Sequence, residues 1–263
     1  VTGGAGFVGS NLCNTLASQG HEVTVVDNLK NGSKDNLVES ITLIEEDVVE
    51  YDLASNLDFS ADFVYHLVCT GLQESMMYPK LDLDVNGKSI LNSLNYAKES
   101  GASLIYTGSG AVHGIGERED LPLHEGSKTQ PSNFYGATKI SSEAMCRAFH
   151  DRYGLNYVGL RYMNVYGPKQ DQKAAYNGVI PTLLDKIDNN QPLIIDGDGS
   201  QSYDFIDVED VARCNVLALK SKSVDKFYNV GTGKKTSIKN LCKLIVNLKK
   251  KDTKVQFKPY KVN

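Results

Sequence analysis

The chain has 263 residues, enough for one large domain or two unequal ones around a sizeable core. Its 41% hydrophobic and 23% charged residues are ordinary for a globular protein in water, and a net charge of −4 leaves no basic surface for nucleic acid. No run of about 18 apolar residues and no charged-then-apolar leader is present, so neither a membrane segment nor a signal peptide is expected. Cysteines 13, 69, 146, 214 and 242 are scattered without a C-x-x-C pair. That pattern fits a reducing compartment, the cytoplasm, and neither a disulfide framework nor a metal site.

The chain opens on Val1-Thr2-Gly3-Gly4-Ala5-Gly6-Phe7-Val8-Gly9-Ser10. The spacing reads as a strand end turning sharply into a helix, with glycines that let a pyrophosphate approach the helix N-terminus. Leu12 and Leu16 follow at i, i+4, as on a helix buried along one face. Glu22 to Val26 is a second strand, and Asp27 follows it. An acidic residue about 20 positions past such glycines accepts the adenosine ribose hydroxyls and repels a 2′-phosphate, which favours NAD over NADP. Because the first strand is reduced to Val1-Thr2, the chain reads as a fragment lacking its own N-terminus.

Asn28 to Ser40 is polar and reads as a surface loop; Ile41 to Ile44 is a short buried strand. Asp47, in the loop after it, suits either an adenine amino group or a solvated acidic turn. Asp62 to Val68 is an apolar strand of the kind buried on both faces of a parallel sheet. Within it His66 reads as a packed core histidine rather than a catalyst. Gly71 to Pro79 reads as loop, Leu81 to Ser100 as one long helix, and Ala102 to Tyr106 as the next strand. This alternation predicts an α/β domain with a mostly parallel sheet. Ligands bind at the carboxyl ends of such strands, so Thr107 and Ser109 should face the crevice.

A helix beginning near Asn133 carries Tyr135 and Lys139 at i, i+4, on one face. A nearby ammonium favours the phenolate, which should lower the Tyr135 pKa and make it a general acid/base. Further on, the pattern gives helices over 179–187, 208–219 and 238–248, short strands near Leu193 and Phe205, and a last strand over 254–258. Lys249-Lys250-Lys251 reads as the solvated end of a helix.

With these pieces in order, the chain resembles an extended short-chain dehydrogenase/reductase of the NAD-dependent nucleotide-sugar epimerase/dehydratase family. The likeness rests on Thr2 to Ser10, Val25 to Asn28, His66-Leu67, Ser75 to Pro79, Val85-Asn86, Ser109 to Gly114, Tyr135 to Lys139, Leu160 to Pro168 and Gly197 to Ile206. It implies a Rossmann-type doubly wound parallel sheet over 1–164, which binds NAD. It also implies a smaller substrate-binding part over 165–263, cut short at its C-terminus. Implied catalytic residues are Ser109, Tyr135 and Lys139. Implied cofactor contacts are Gly3, Gly6, Phe7, Val8, Gly9, Asp27, Asn28, Asp47, Val48, Leu67 and Asn86, with Tyr135 and Lys139. Ser109, Tyr135, Asn164, Asn177 and Tyr203 are the implied substrate contacts.

Members of the family that remove water carry an Asp-Glu pair where this chain has Gly110 and Ala111, and the decarboxylases keep the Glu. Two small residues cannot move those protons, so the resemblance implies a 4-epimerase acting on a UDP-hexose, UDP-glucose or UDP-N-acetylglucosamine. A nucleotide-sugar reductase or dehydratase relative, and a non-catalytic NAD-binding member, are the alternatives. Tyr203 stands where many members have an Arg, and His113 where a Tyr is usual. A homodimer through Leu81–Ser100 and Asn133–Tyr153 is also implied.

Overall fold

The computed structural model describes residues 1–114, 121–170, 178–221, 225–251 and 253–259. In chain order the strands are β1 (Thr24–Val26), β2 (Thr42–Ile44), β3 (Phe63–His66), β4 (Ser103–Ser109), β5 (Tyr157–Tyr162) and β6 (Asn164–Tyr166). They continue with β7 (Leu193–Asp196), β8 (Ser202–Tyr203), β9 (Phe205–Asp207), β10 (Lys226–Val230), β11 (Thr236–Ser237) and β12 (Val255–Lys258).

The chain forms two units, Val1–Tyr162 with Val208–Val230, and Met163–Asp207 with Gly231–Asn263. A single cut after 164 therefore misplaces 208–230. The helix Val208–Leu219 buries Val208, Val211, Ala212 and Val216, and it packs on Phe7–Ser18 of the first unit. The strand β10, not anticipated from the sequence, then pairs with β5.

In the first unit the sheet runs β2–β1–Thr2–β3–β4–β5–β10, every pairing parallel. Thr2 occupies the central slot: its N–H donates to the Tyr65 carbonyl at 2.9 Å, and its own carbonyl accepts the Leu67 N–H at 2.9 Å. Strands β1 and β3 thus flank the chain's opening residues, and the strand order reverses there. Such a switch point leaves a crevice at the carboxyl ends of the strands. Val26, Val64, Leu94, Leu104, Tyr106 and Tyr157 fill the core beneath it.

Two predicted elements differ in detail. Gly71 to Pro79 contains a short helix, Leu72–Met77, and the helix expected over 81–100 begins at Pro79. That helix widens into a π-helical stretch over Leu83–Lys88 before continuing as Ser89–Ser100. Single π-type turns inside helices are often found at functional sites.

In the second unit β6 pairs with β9 and β7 with β12, both parallel, and β8 pairs antiparallel with β11. The helices Val179–Asp188 and Ile238–Lys249 close its core around Leu183, Ile187, Leu193, Leu241 and Ile245. Lys249 is ion-paired with Asp188 at 2.8 Å.

Candidate active site

The glycine turn fits a dinucleotide on its own geometry. Gly3 has φ +74°, and a Cβ there would lie 2.8 Å from the Val68 backbone nitrogen. A Cβ on Gly9 would overlap the Gly3 carbonyl oxygen, so the helix lies directly on the turn. Gly6 begins that helix, Phe7–Ser18, without a side-chain cap, and Phe7 and Val8 form its first turn. Backbone amides at such an end attract phosphate.

Asp27 is buried at the end of β1 and holds this arrangement: its Oδ2 accepts the Ala5 N–H at 2.9 Å and its Oδ1 the Leu29 N–H at 2.9 Å. Asn28 donates to the Asp47 carboxylate at 3.0 Å, and Asp47 also accepts the Val49 N–H at 2.9 Å. The Val48 side chain is buried in the core. Leu67, just past β3, is partly exposed.

Asn86, expected as a cofactor contact, has its side chain engaged within the protein. Its Oδ1 accepts the Thr70 N–H at 3.1 Å, and its amide donates to Asp82 at 2.8 Å and to the Thr138 hydroxyl at 3.0 Å. The side chain is thus committed to a buried network that includes Asp82 and Thr138, two residues the sequence reading passed over. The available signal was spacing: Asp82 and Asn86 are i, i+4, and Thr138 lies between Tyr135 and Lys139.

Tyr135 and Lys139 sit in the first turns of the helix Phe134–Tyr153, whose N-cap Asn133 accepts the Gly136 N–H at 2.8 Å. The buried Lys139 Nζ donates to the Thr107 carbonyl at 3.0 Å and lies 5.6 Å from the centre of the Tyr135 ring. Ser109 ends β4; its hydroxyl accepts the Ala111 N–H at 3.1 Å and is near enough to the Tyr135 phenol to favour its ionisation. Thr107 faces elsewhere, donating to the His66 carbonyl at 2.8 Å.

The expected lowering of the Tyr135 pKa is not what this arrangement produces. Burial of the phenol raises it well above its ordinary value; the Cys69 thiol and the Asp82 carboxylate push the same way, against the Ser109 hydroxyl. Desolvation of the phenolate outweighs the ammonium four residues away. Tyr135 is therefore held as a neutral phenol.

His66 is a core histidine. Its Nδ1 lies 3.0 Å from the Thr2 hydroxyl and 2.9 Å from that of Ser93, and its Nε2 lies 3.4 Å from the Ser89 hydroxyl. Burial, reinforced by the Lys139 ammonium, pushes its pKa down to about 3. Below its ordinary pKa of about 6.5 the unfolded chain takes up a proton that the folded chain refuses. Stability should therefore fall with pH, by about 2 kcal/mol at pH 5 from this residue. Urea unfolding at pH 7 and pH 5 tests this: His66→Gln should flatten the difference, and an unchanged slope would contradict it. His113 is buried with its Nδ1 3.2 Å from the Lys128 carbonyl, in a structural turn.

In the second unit Asn164 donates its backbone N–H to the Asp204 carbonyl at 3.0 Å and its side-chain amide to the same oxygen at 3.2 Å. Tyr203 is exposed, edge-on to Phe205 with ring centres 6.1 Å apart. Asp204 between them was not anticipated: its carboxylate accepts the Thr232 N–H at 3.0 Å and the Gly233 N–H at 2.8 Å, shaping that loop. Asn177 lies outside the described residues. Among the described residues no group of His, Cys, Asp and Glu is placed to hold a metal ion, and no helix is long and apolar enough to cross a membrane.

A doubly wound parallel sheet with a glycine turn at its switch point, and Ser109, Tyr135 and Lys139 gathered at the end of β4, defines the short-chain dehydrogenase/reductase class. Within it, the chain belongs to the NAD dependent epimerase/dehydratase family, whose sequence profile matches residues 1–231. It is similar to a UDP-N-acetylglucosamine 4-epimerase from Methanobrevibacter ruminantium solved with UDP-N-acetylmuramic acid. The identity is 35% and the TM-score 0.93, over 99% of this chain and 84% of that one. The UDP-glucose 4-epimerase of Thermotoga maritima, solved with UDP-glucose, is 31% identical with TM-score 0.93, over 100% and 85% of the two chains. The Thermus thermophilus UDP-glucose 4-epimerase, solved with NAD, is 29% identical with TM-score 0.90, over 99% and 86%.

Proposed function

We propose that this protein interconverts the C4 epimers of a nucleotide-activated hexose, a UDP-hexose, through a transient 4-keto sugar. The observation that carries the reading is the Ser109–Tyr135–Lys139 group at the carboxyl end of β4, followed by Gly110 and Ala111 rather than by carboxylates. The glycine turn and Asp27 would hold NAD, with Asn28, Asp47, the Val48 backbone and Leu67 on its adenosine side. Bound NAD supplies the acceptor and donor for the C4 hydride and a positive charge on its nicotinamide ring.

Tyr135, once ionised by loss of its own proton to solvent, would take the proton of the C4 hydroxyl as the sugar is oxidised and return it to the oxygen when the hydride comes back on the opposite face. Ser109 hydrogen-bonds the reacting oxygen. Lys139, buried and anchored on Thr107, steadies the phenolate once it forms. Gly110 and Ala111 carry no ionisable group, which leaves no acid or base for loss of water. On the second unit we assign Asn164 to the nucleotide diphosphate and the exposed Tyr203 to the nucleotide.

Similarity to relatives named for UDP-sugars supports the choice of nucleotide. Among the described residues the five cysteines form no disulfide, in keeping with the proposed reducing, cytoplasmic setting. The helical segments named for a homodimer expose large apolar side chains, Leu83, Leu91, Phe134 and Tyr153, and sedimentation at micromolar concentration would read the assembly directly.

Incubating the protein with UDP-glucose or UDP-N-acetylglucosamine, without added cofactor, and following the anomeric proton NMR signals tests the reading. Appearance of the galacto isomer without NADH release is the expected result. NADH accumulating only when NAD+ is supplied would make the protein a one-way oxidoreductase instead.

A further inference from the structure

Asp82 ends the helical stretch Pro79–Asp82 and is fully buried. Its Oδ1 accepts the Asn86 amide at 2.8 Å and the Thr70 hydroxyl, and its Oδ2 accepts the Thr138 hydroxyl at 2.8 Å. Asn86 also reaches the Thr138 hydroxyl at 3.0 Å and accepts the Thr70 N–H at 3.1 Å. Three segments therefore converge on one carboxylate: the loop after β3, the helix before the π-helical stretch, and the turn bearing Tyr135 and Lys139.

Among the described residues no ion pair reaches Asp82. A buried carboxylate satisfied only by neutral donors keeps a desolvation cost that an amide of the same shape would avoid. Packing alone does not account for a carboxyl group there.

We infer that Asp82 is a positioning residue for the acid/base centre: through Thr138 it fixes the helical turn that carries Tyr135 and Lys139, and its negative charge secures the proton of Tyr135. The inference rests on the reading of Tyr135 as the acid/base. Four ionisable groups face Tyr135: the Cys69 thiol from the loop after β3, Asp82, the Tyr106 phenol from β4, and Lys139 on its own helix. Of these Asp82 is the one carboxylate, and it adds to the burial that keeps the phenol protonated. Ionisation of Tyr135 to the phenolate that can take a hydroxyl proton is thereby disfavoured until further positive charge enters the site.

The test uses protein labelled with 13Cζ-tyrosine, the Tyr135 signal being assigned by its loss in Tyr135→Phe and titrated in the presence of NAD+. Asp82→Asn keeps the shape and removes the charge. It should lower the phenol midpoint, and the acidic limb of the kcat profile with it, by about one pH unit. Thr138→Ala cuts the link while keeping the charge; it should lower kcat about tenfold with the midpoint unmoved, and Thr138→Ser should restore it. An unmoved midpoint in folded Asp82→Asn would overturn the charge role, and normal kcat in Thr138→Ala would overturn the positioning role. Normal turnover in Tyr135→Phe would instead remove the acid/base reading on which both rest.

Discussion

Replacing Tyr135 by Phe should lower kcat by about 10³-fold, the scale on which a placed general acid/base acts, and leave NAD affinity within about twofold. The substitution removes one oxygen and keeps the ring, so the helix Phe134–Tyr153 and the Lys139 bond to the Thr107 carbonyl should persist. What disappears is the phenol that lies beside Ser109 at the end of β4. In the unaltered protein the phenol is held protonated by burial, by Cys69 and by Asp82. The active phenolate should then become more abundant as pH rises, and kcat should climb with pH over the range in which the protein stays folded. Tyr135→Phe should lose that climb along with the rate. Single-turnover assays across pH, with equilibrium NAD binding measured in parallel, read both effects.

The largest effect on stability should come from Arg161→Met. Arg161 in β5 donates from Nε to Glu143 Oε1 at 2.8 Å and from Nη2 to Oε2 at 2.7 Å, and both side chains are almost wholly buried. The guanidinium also lies 5.3 Å from the centre of the Phe227 ring of β10. Removing it strands the Glu143 carboxylate, a change that typically costs about 3–5 kcal/mol. The second cation near Glu143, Arg147, stands 4.0 Å away and is half exposed, so it replaces little of the loss. Glu143→Met combined with Arg161→Met removes both charges and should recover most of the stability, as apolar replacements of buried pairs often do. Urea unfolding of the single and double variants decides the matter; a double variant as unstable as the single would assign the loss to packing around Phe227. The pair ties the helix carrying Tyr135 and Lys139 to the sheet, so the single variant should also lose activity.

The site was readable where its constraints are local. A turn that excludes a Cβ at Gly3 and Gly9, an acidic residue after the next strand, and Tyr135 and Lys139 one helical turn apart are all matters of spacing, which a sequence displays. The charge balance around Tyr135 was not readable, because Cys69 and Asp82 reach it from distant parts of the chain while Lys139 is visible four residues away. The network around Asn86 was unreadable for the same reason, since its partners Thr70 and Thr138 lie on other segments. The apolar stripe of 208–219 was evident, but nothing in it says that it packs on Phe7–Ser18. Lys226–Val230 is a short strand whose Phe227, Tyr228 and Val230 are strand formers, a signal easily passed over in so few residues. Phe227 packs where Gly159 of β5 leaves space, and that complementarity exists only in the folded sheet. The short helix Leu72–Met77 was hidden by Gly71 and Pro79 at its edges, which read as loop punctuation.

Deuterium at C4 gives the most direct test of the central claim that hydride leaves and returns within one active site. UDP-glucose labelled with deuterium at C4 should be converted to UDP-galactose that keeps the label at C4, with none appearing in water or in free reduced cofactor. Product that has exchanged its C4 label with solvent, or label recovered in released cofactor, would contradict the account.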